Sequence, residues 1–311
     1  MEKRYRYLFG PVPSRRFGRS LGVDLTPHKT CSLDCVFCQL GRTTTKTIAR
    51  KAYVPVDAVL VEIEKWLKTH GQADYITLSG TGEPTLHSQF GEVLKFIHAH
   101  STIPTVLLTN GTLLHLPEVR DAARYADIVK VSLSAWDQNS FGWVNRPHPK
   151  LSFDRLVEGQ KTFRAQFEGQ IWMEVFLVGG MNSMPSDVQK IAAWARKIAP
   201  DRIQLNTAVR PPSEDFAAAL TKEQLSPLTP LFEPPAEMIA DFRGGSKKVQ
   251  GNANAILAML QRRPCTSAQI ENAFSMHVNE VAKYLGSLLH SKQIRAENRN
   301  HDVFYVAVSK Q

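Results

Sequence analysis

The chain has 311 residues, of which 43% are hydrophobic and 22% charged, so a globular protein with a substantial core is expected. Its charged N-terminus lacks the apolar stretch of a secretory signal, and no apolar run is long enough to span a membrane, so a cytoplasmic protein with no membrane partner is expected. The formal net charge of +9 suggests polyanionic partners such as nucleic acid or phosphorylated ligands.

Alternating strand and helix patterns make up most of the chain. Residues 1–19 are turn-rich and basic, and are predicted to form an N-terminal arm carrying Arg15, Arg16 and Arg19. In the predicted domain 20–210, the strands are 20–26, 75–79, 105–109, 128–134, 171–178 and 202–207, and the helices between them are 56–68, 90–100, 116–125, 153–167 and 186–198. Six such units predict a parallel sheet, either doubly wound or curled into a barrel.

The last part of the chain is predicted to form a connection and a small second domain. Residues 211–245 are rich in Pro and Gly and indicate a connection with one helix near 216–225. Residues 246–311 contain three helix patterns followed by two strand patterns around a polar turn, which predicts a winged-helix domain. This domain has nine Lys and Arg against four Asp and Glu, which favours nucleic-acid binding; a protein-docking or lid module is the alternative.

Three of the four cysteines, Cys31, Cys35 and Cys38, lie within eight residues directly after the first predicted strand. In a reducing compartment such a group favours metal binding over disulfide formation. Three thiolates are one ligand short of a closed zinc site or a fully ligated [4Fe–4S] cluster, so the spacing predicts a centre with an open position. A structural zinc site with His28 as fourth ligand is the alternative, and Cys265 is expected to be a free structural thiol.

Small and polar residues stand at the ends of the predicted strands, where parallel α/β folds bind their ligands. Alternate residues of a strand face opposite sides of a sheet, so polar residues at every second position form a row on one face. This polar row comprises Lys130, Ser132, Ser134, Glu174, Gln204 and Asn206. A polar lumen opposite an aliphatic face is expected of a barrel, whereas a doubly wound sheet buries both faces. The predicted fold is therefore a partial (β/α)6 TIM-like barrel with a C-terminal winged-helix domain.

The C-x3-C-x2-C spacing after the first strand, with the Gly-rich loop Gly80-Thr81-Gly82-Glu83-Pro84 after the second, resembles the radical S-adenosylmethionine (SAM) superfamily over residues 20–206. The resemblance implies a [4Fe–4S] cluster on Cys31, Cys35 and Cys38, with SAM bound to its open iron and cleaved reductively to a 5′-deoxyadenosyl radical that takes hydrogen from a substrate. By position it implies that Gly80, Thr81, Gly82 and Glu83 line the methionine part of SAM, that Phe37 lies near the adenine, and that Ser132, Ser134, Glu174 and Asn206 contact SAM or substrate. Asn110 is a further candidate for cofactor binding, with a plain turn at Thr109-Asn110-Gly111 as the alternative.

Four further motifs are residues 80–86, Thr109-Asn110-Gly111, residues 131–135 and Arg146-Pro147. They are similar to those of the wybutosine-synthesis-like Fe–S oxidoreductases, although the chain lacks the cysteines of their second cluster. We therefore predict a single-cluster enzyme that acts on RNA, such as tRNA, and takes electrons from a flavodoxin- or ferredoxin-type reductant. A radical SAM enzyme that modifies a peptide or protein, and an Fe–S redox sensor that binds DNA, are the alternatives. Candidate substrate contacts are Lys130, Trp136, Arg146 and Arg210; an ion pair between Lys130 and Glu174, and loop packing for Trp136 and Arg146, are the alternatives for these residues.

Overall fold

The computed structural model describes residues 5–14, 16–69, 71–239, 251–299 and 302–308. Up to residue 239 the elements are β1 (Leu8–Ser14), β2 (Gly18–Val23), β3 (Thr30–Cys31), β4 (Thr45–Lys46), α1 (Val56–Thr69), β5 (Tyr75–Leu78), α2 (Phe90–His100), β6 (Thr105–Leu108), α3 (Pro117–Ala123), β7 (Ile128–Ser132), α4 (Gln138–Asn145), α5 (Phe153–Gln166), β8 (Gln170–Phe176), α6 (Pro185–Ile198), β9 (Arg202–Asn206), α7 (Lys222–Leu225) and β10 (Glu237–Met238). From residue 251 they are α8 (Ala253–Leu260), β11 (Cys265–Thr266), α9 (Ser267–Phe274), α10 (Val278–His290), β12 (Ile294–Arg299) and β13 (Asp302–Ala307). No helix in the described ranges is long and apolar enough to cross a membrane.

Eight strands form one sheet in the order β1-β2-β5-β6-β7-β8-β9-β10. Every neighbouring pair from β2 to β10 is parallel, and β1 is antiparallel to β2 at one edge. The strands follow one another across the sheet without the reversal of order that a doubly wound fold requires. The predicted α/β class with a mostly parallel sheet is confirmed, and the topology is consistent with a partial barrel.

The N-terminal segment differs from the predicted arm. Residues 8–14 form the edge strand β1, in which Pro11 and Pro13 are tolerated because an edge strand does not need every N–H group for pairing. The turn after it carries Phe17, which is buried against Trp172 at a ring-centroid distance of 5.1 Å. Arg15, which was assigned to the arm, lies outside the described residues.

The two faces of the sheet have different environments. Val129, Met173 and Leu205 belong to the main apolar core together with the buried faces of the helices. On the opposite face, Phe17 packs with Val106, Ile128 and Trp172 in a small separate cluster. The strand register places Lys130, Glu174 and Gln204 on that same face, one step further toward the carboxyl ends of the strands. The predicted polar row therefore lies next to this apolar cluster, on the side of the carboxyl ends of the strands. We call the cluster around Phe17 the apolar plug.

The predicted connection contains more regular structure than expected. Strand β10 extends the parallel sheet beyond β9, and a 3₁₀ helix spans Ser226–Leu231. Leu228 and Phe232 are buried in the main core, which explains why this segment is ordered along the barrel. Residues 240–250, which include Gly244, Gly245 and the predicted domain boundary, lie outside the described residues.

The C-terminal unit consists of α8, α9 and α10 and a three-stranded sheet in the order β11-β13-β12. Helix α9 begins as its sequence predicts, because the Thr266 side chain accepts from the Gln269 N–H group at 3.2 Å. The unit has its own apolar core around Ile256, Phe274 and Leu285, and Val12 of β1 packs against it. Strand β11 was not predicted, and the turn residues Asn300 and His301 lie outside the described residues.

Candidate active site

The cysteine loop follows β2 and brings three thiols to the carboxyl edge of the sheet. Each sulfur receives a donor from a different segment: Lys29 Nζ donates to Cys38 Sγ at 3.1 Å, Asn145 Nδ2 to Cys35 Sγ at 3.3 Å, and Asn110 Nδ2 to Cys31 Sγ at 3.5 Å. Lys29 is buried, so its ammonium group contacts the sulfur away from bulk solvent. Donors of this kind stabilise the thiolate over the thiol and tune iron–sulfur centres.

The protonation of the cysteines depends on what binds them. Burial raises the pKa of Cys31 to about 12, with a contribution from the Glu83 carboxylate, and burial likewise raises the pKa of Cys35. The bare thiols of Cys31 and Cys35 are therefore protonated at neutral pH, and a bound metal centre would hold them as thiolates. Among the residues that the structure describes, no three His, Cys, Asp or Glu side chains surround a position for one metal ion. Each of the three sulfurs has one hydrogen-bond donor, and this arrangement fits an iron–sulfur cluster bound to Cys31, Cys35 and Cys38.

The Gly-rich loop after β5 is held in place by Asp24, at the end of β2. Both the Thr81 N–H group and the Thr81 hydroxyl donate to Asp24 Oδ2, at 3.1 and 3.0 Å. A Cβ atom at Gly80 would lie 2.2 Å from the Asp24 carboxyl carbon, and one at Gly82 would lie 2.2 Å from the Thr30 carbonyl oxygen. Glycine is therefore required at both positions for the loop to approach the cysteine segment.

Glu83 is bonded to the end of β6, and its implied contact with the methionine part of SAM stays a prediction. Its buried carboxylate accepts from the Thr85 and Thr109 hydroxyls, both at 2.6 Å, and from the Asn110 N–H group at 2.8 Å. Burial raises its pKa, and these hydrogen bonds oppose the shift. The side chain braces the Gly-rich loop against the end of β6, and through Asn110 it also positions the donor to Cys31.

The polar row is joined by an ion-pair network. Glu174 pairs with Lys130 at 2.9 Å and with Arg16, and it accepts from Asn206 Nδ2 at 3.0 Å. Burial alone would raise the pKa of Glu174, but the charges of Arg16 and Lys130 outweigh it and bring the pKa to about 2. The predicted alternative of an ion pair between Lys130 and Glu174 is therefore present. Asn206 shares their face of the sheet.

The two serines of the predicted row differ in their surroundings. The Ser134 hydroxyl accepts from the Phe176 N–H group at 3.0 Å and is buried, so it supports the backbone of β8. Ser132 is partly exposed, and its carbonyl oxygen accepts from Gln160 Nε2 at 3.1 Å. Of the two, Ser132 is the more exposed residue, and the contacts of both serines with SAM or substrate stay predictions.

Phe37 forms an apolar wall beside the cysteines. Its ring stacks on Phe176 with a centroid distance of 4.0 Å and an interplanar angle of 9°. Val36, Val178 and Ala217 complete this small cluster. A flat, partly exposed aromatic surface next to Cys38 suits a planar base, and the implied contact with adenine stays a prediction.

The other candidate substrate contacts are distributed unevenly. The Trp136 ring lies under Lys190 Nζ at 4.9 Å and its carbonyl oxygen accepts from Trp194 of α6, which favours the loop-packing alternative. Arg146 pairs with Glu214 and therefore supports the loop after β9. Arg210 donates to Gln39 at 3.2 Å, directly after the last cysteine. Arg210 thus contacts the residue that follows Cys38, and Arg146 contacts the cysteine loop through its carbonyl oxygen, which accepts from the Asp34 N–H group at 3.3 Å.

Several residues of the site were not singled out from the sequence. Asp24 and Lys29 precede the cysteine loop on the chain and could have been found as polar residues near the end of the first predicted strand. Asn145 ends α4, a helix that was not predicted, and its contact with Cys35 depends on tertiary structure alone. Arg262 comes from the C-terminal unit and lies 4.0 Å from Asp24, and sequence patterning offers no signal for such a contact.

Comparison with known proteins identifies the family. The family model described as the radical SAM superfamily matches residues 25–195. A protein of Helicobacter pylori named UPF0026 protein is 33% identical over 96% of this chain and 97% of its own length, and UPF0026 protein MJ1312 of Methanocaldococcus jannaschii is 28% identical over 94% and 98%. A protein of Brachyspira hyodysenteriae named GTPase Obg is 35% identical over 96% of this chain, which spans only 45% of that protein.

A solved structure shows the same fold. A radical SAM methyltransferase from Sphaerobacter thermophilus superposes with a TM-score of 0.50 over 70% of this chain and 66% of its own, at 15% identity. The sequence match to the family model and the near full-length similarity to the UPF0026 proteins establish the family to which the chain belongs. It belongs to the radical SAM superfamily and, within it, to the UPF0026 proteins.

Proposed function

We propose that this protein is a radical SAM enzyme that uses one [4Fe–4S] cluster. The observation that carries the proposal is the set of three donors, one to each cysteine sulfur, beside a Gly-rich loop fixed by Asp24 and Glu83. Cys31, Cys35 and Cys38 would hold the cluster, and the cluster would leave one iron free for SAM. When bound, these cofactors supply one-electron cleavage of SAM to methionine and a 5′-deoxyadenosyl radical that takes hydrogen from substrate.

The chain's own residues would bind and orient SAM. The backbone of Gly80, Thr81 and Gly82 offers polar groups for the methionine part, and Phe37 offers a flat apolar surface for the adenine. Ser132, Glu174 and Asn206 line the remaining side of the lumen. A flavodoxin- or ferredoxin-type protein would deliver the electron.

Anaerobic reconstitution with iron and sulfide tests the proposal. The expected result is a cluster with about four irons per chain, an electron paramagnetic resonance signal that changes on adding SAM, and release of 5′-deoxyadenosine with dithionite. C38S should lose the cluster, whereas C265A should retain it, because Cys265 is buried in the C-terminal unit. Stoichiometric zinc without SAM cleavage would contradict the proposal and favour the structural zinc alternative.

For the substrate we propose RNA, bound with the help of a C-terminal winged-helix domain. The basic charge of residues 246–311 and the order of three helices and a β-ribbon support this. Arg262 contacts the barrel residue Asp24, and Arg295 pairs with Glu297 within its own strand. The arginines of the C-terminal unit would therefore bind RNA phosphates mainly at the mouth of the barrel, and less along the outer surface of the unit.

Salt dependence and hydrogen transfer test the substrate proposal. Binding of tRNA should weaken steeply as salt rises, because each phosphate contact releases counterions. Deuterated RNA should pass deuterium into 5′-deoxyadenosine, and deuterated protein fractions should not. Transfer from the protein fraction alone would favour the peptide-modifying alternative.

A further inference from the structure

Unpartnered polar atoms in the described ranges are concentrated around one group of arginines. Five buried side-chain atoms lack a hydrogen-bond partner there: Arg16 Nε, Arg210 Nε, Arg262 Nε, Gln160 Oε1 and Gln204 Oε1. Three of the five are guanidinium donors, although such donors rarely stay unsatisfied when buried. We call Arg16, Arg210, Arg262 and the neighbouring Arg263 the arginine cluster.

Three members of the arginine cluster each contact a different part of the candidate active site. Arg16 pairs with Glu174 of the polar row, and Arg210 donates to Gln39 beside the cysteine loop. Arg262 lies 4.0 Å from Asp24, which holds the Gly-rich loop. These three arginines therefore lie next to the polar row, the cysteine loop and the residue that holds the Gly-rich loop.

Arg263 links the other members of the cluster. It donates to the Pro13 carbonyl oxygen at 3.1 Å, which anchors the C-terminal unit to β1. Burial lowers its pKa to about 10, and repulsion from Arg210 and Arg16 adds to the shift, so these guanidinium groups are close together. Arg263 therefore remains protonated at neutral pH.

The charges of the arginine cluster do not balance among the described residues. Its four arginines contribute four positive charges, and the carboxylates that pair with them in the described ranges are Glu174 and Asp24. An excess of two positive charges in a partly buried place is costly unless an anion joins it. Planar guanidinium forks with free donors suit the oxygens of a phosphoryl group, which carries more charge than one carboxylate.

We propose that the arginine cluster is a subsite for a phosphoryl group of the substrate, formed jointly by the barrel and the C-terminal unit. This deepens the proposed function and rests on it for the identity of the site, since the phosphoryl group would hold the substrate beside SAM. The C-terminal unit thereby completes the substrate site with Arg262 and Arg263. This role differs from that of an independent nucleic-acid-binding module.

Calorimetric titration of the reconstituted full-length protein with inorganic pyrophosphate tests the subsite. R210Q and R262Q should each weaken pyrophosphate binding at least tenfold, and R262K should recover only part of the affinity, because lysine keeps the charge but lacks the fork. R295Q is the matched control, since Arg295 is an exposed arginine of the same C-terminal unit, and its affinity should stay within twofold of wild type. Equal losses in R295Q and R262Q, or no pyrophosphate binding by folded wild-type protein, would overturn the proposal.

Two further measurements separate the possible outcomes. Competition against pyrophosphate distinguishes the source of the phosphoryl group: displacement by tRNA assigns it to RNA, displacement only by a mononucleotide assigns it to a small phosphorylated molecule, and displacement by neither overturns the proposal. Substrate-free cleavage of SAM, followed as 5′-deoxyadenosine, reports on the proposed function alone. Cleavage without pyrophosphate binding refutes the subsite only, whereas pyrophosphate binding without cleavage keeps the subsite and refutes the radical SAM activity.

Discussion

Glu83 is a buried carboxylate that holds neighbouring segments of the candidate site together. Its two carboxylate oxygens accept hydrogen bonds from Thr85, Thr109 and the Asn110 N–H group, and Asn110 in turn donates to Cys31. Removing the acceptor leaves several buried donors without partners, which is more costly than losing one exposed hydrogen bond.

We expect Glu83→Ala to lower the free energy of unfolding by about 3 kcal/mol and to reduce the iron bound after reconstitution. Urea unfolding followed by circular dichroism measures the first effect, and iron analysis measures the second. Glu92→Ala is the matched control, because Glu92 is an exposed carboxylate on α2. Wild-type stability and iron content in the Glu83 variant would show that the brace is dispensable.

Glu174 provides a prediction about pH. Its pKa in the folded protein is about 2, below the ordinary value of 4.5, so its stabilising effect is complete above pH 4.5 and is lost as the pH falls toward 2. Relative to Glu174→Gln, the wild type should be more stable by about 3 kcal/mol at pH 7 and by roughly half of that near pH 3. Urea unfolding across this pH range measures the difference. Glu64→Gln removes an exposed i,i+4 partner of Lys68 and should show no comparable trend; a constant difference for Glu174→Gln would contradict the ion-pair explanation.

At the scale of elements, the turn between β1 and β2 closes the amino end of the lumen. Phe17 is buried there, stacked on Trp172 and edge-on to Tyr75. This plug positions the adjacent Arg16, whose side chain reaches Glu174. The hairpin is therefore part of the site and not a separate arm.

Phe17→Ala should destabilise the protein by about 3–5 kcal/mol, because it opens a cavity among aromatic rings, and it should weaken the contact between Arg16 and Glu174. Thermal and urea unfolding measure the loss of stability. Phe216→Ala removes an exposed ring and is expected to have little effect. Equal and small losses in both variants would contradict the role of Phe17 as a plug.

The elements that could be predicted from the sequence are those with a strong hydrophobic period. Strands β5 to β9 and helices α1, α2, α5 and α6 lie close to their predicted positions, because each has one apolar face that packs in the main core. Strand β1 was missed since its prolines resemble a turn, and β10 is too short to show a period. Helix α4 was missed although Asp137 and Ser140 form a capping box that the sequence displays.

The site was predictable to the extent that its residues stand at strand ends. The cysteines and the Gly-rich loop are local motifs, whereas Asn145 and Arg262 reach the site only through packing between distant segments. The hydrogen bonds of Glu83 to Thr109 and Asn110 also required the structure, because a local motif gives no information on partners in another loop. Local spacing thus identifies ligands of a cofactor more readily than the residues that hold them.

At the scale of the whole molecule, the C-terminal unit is joined to the barrel through β1. Val12 packs against the core of the unit, Arg263 donates to the Pro13 carbonyl oxygen, and Arg262 lies over the Phe9 ring at 4.3 Å. These contacts place two arginines of the unit at the mouth of the barrel. Packing of the C-terminal unit against β1 therefore also brings Arg262 and Arg263 to the proposed phosphoryl subsite.

Val12→Asp tests this coupling, since it puts a charge into the apolar contact between β1 and the C-terminal unit. Hydrogen–deuterium exchange should become about tenfold faster in α8 and β1, which corresponds to about 1.4 kcal/mol, while the amides of β6 to β8 keep their protection. Val61→Asp, at an exposed position of α1, is the control and should leave exchange in α8 unchanged. If α8 exchanged equally in both variants, the unit would be held independently of β1, and the arginines at the mouth would need another anchor.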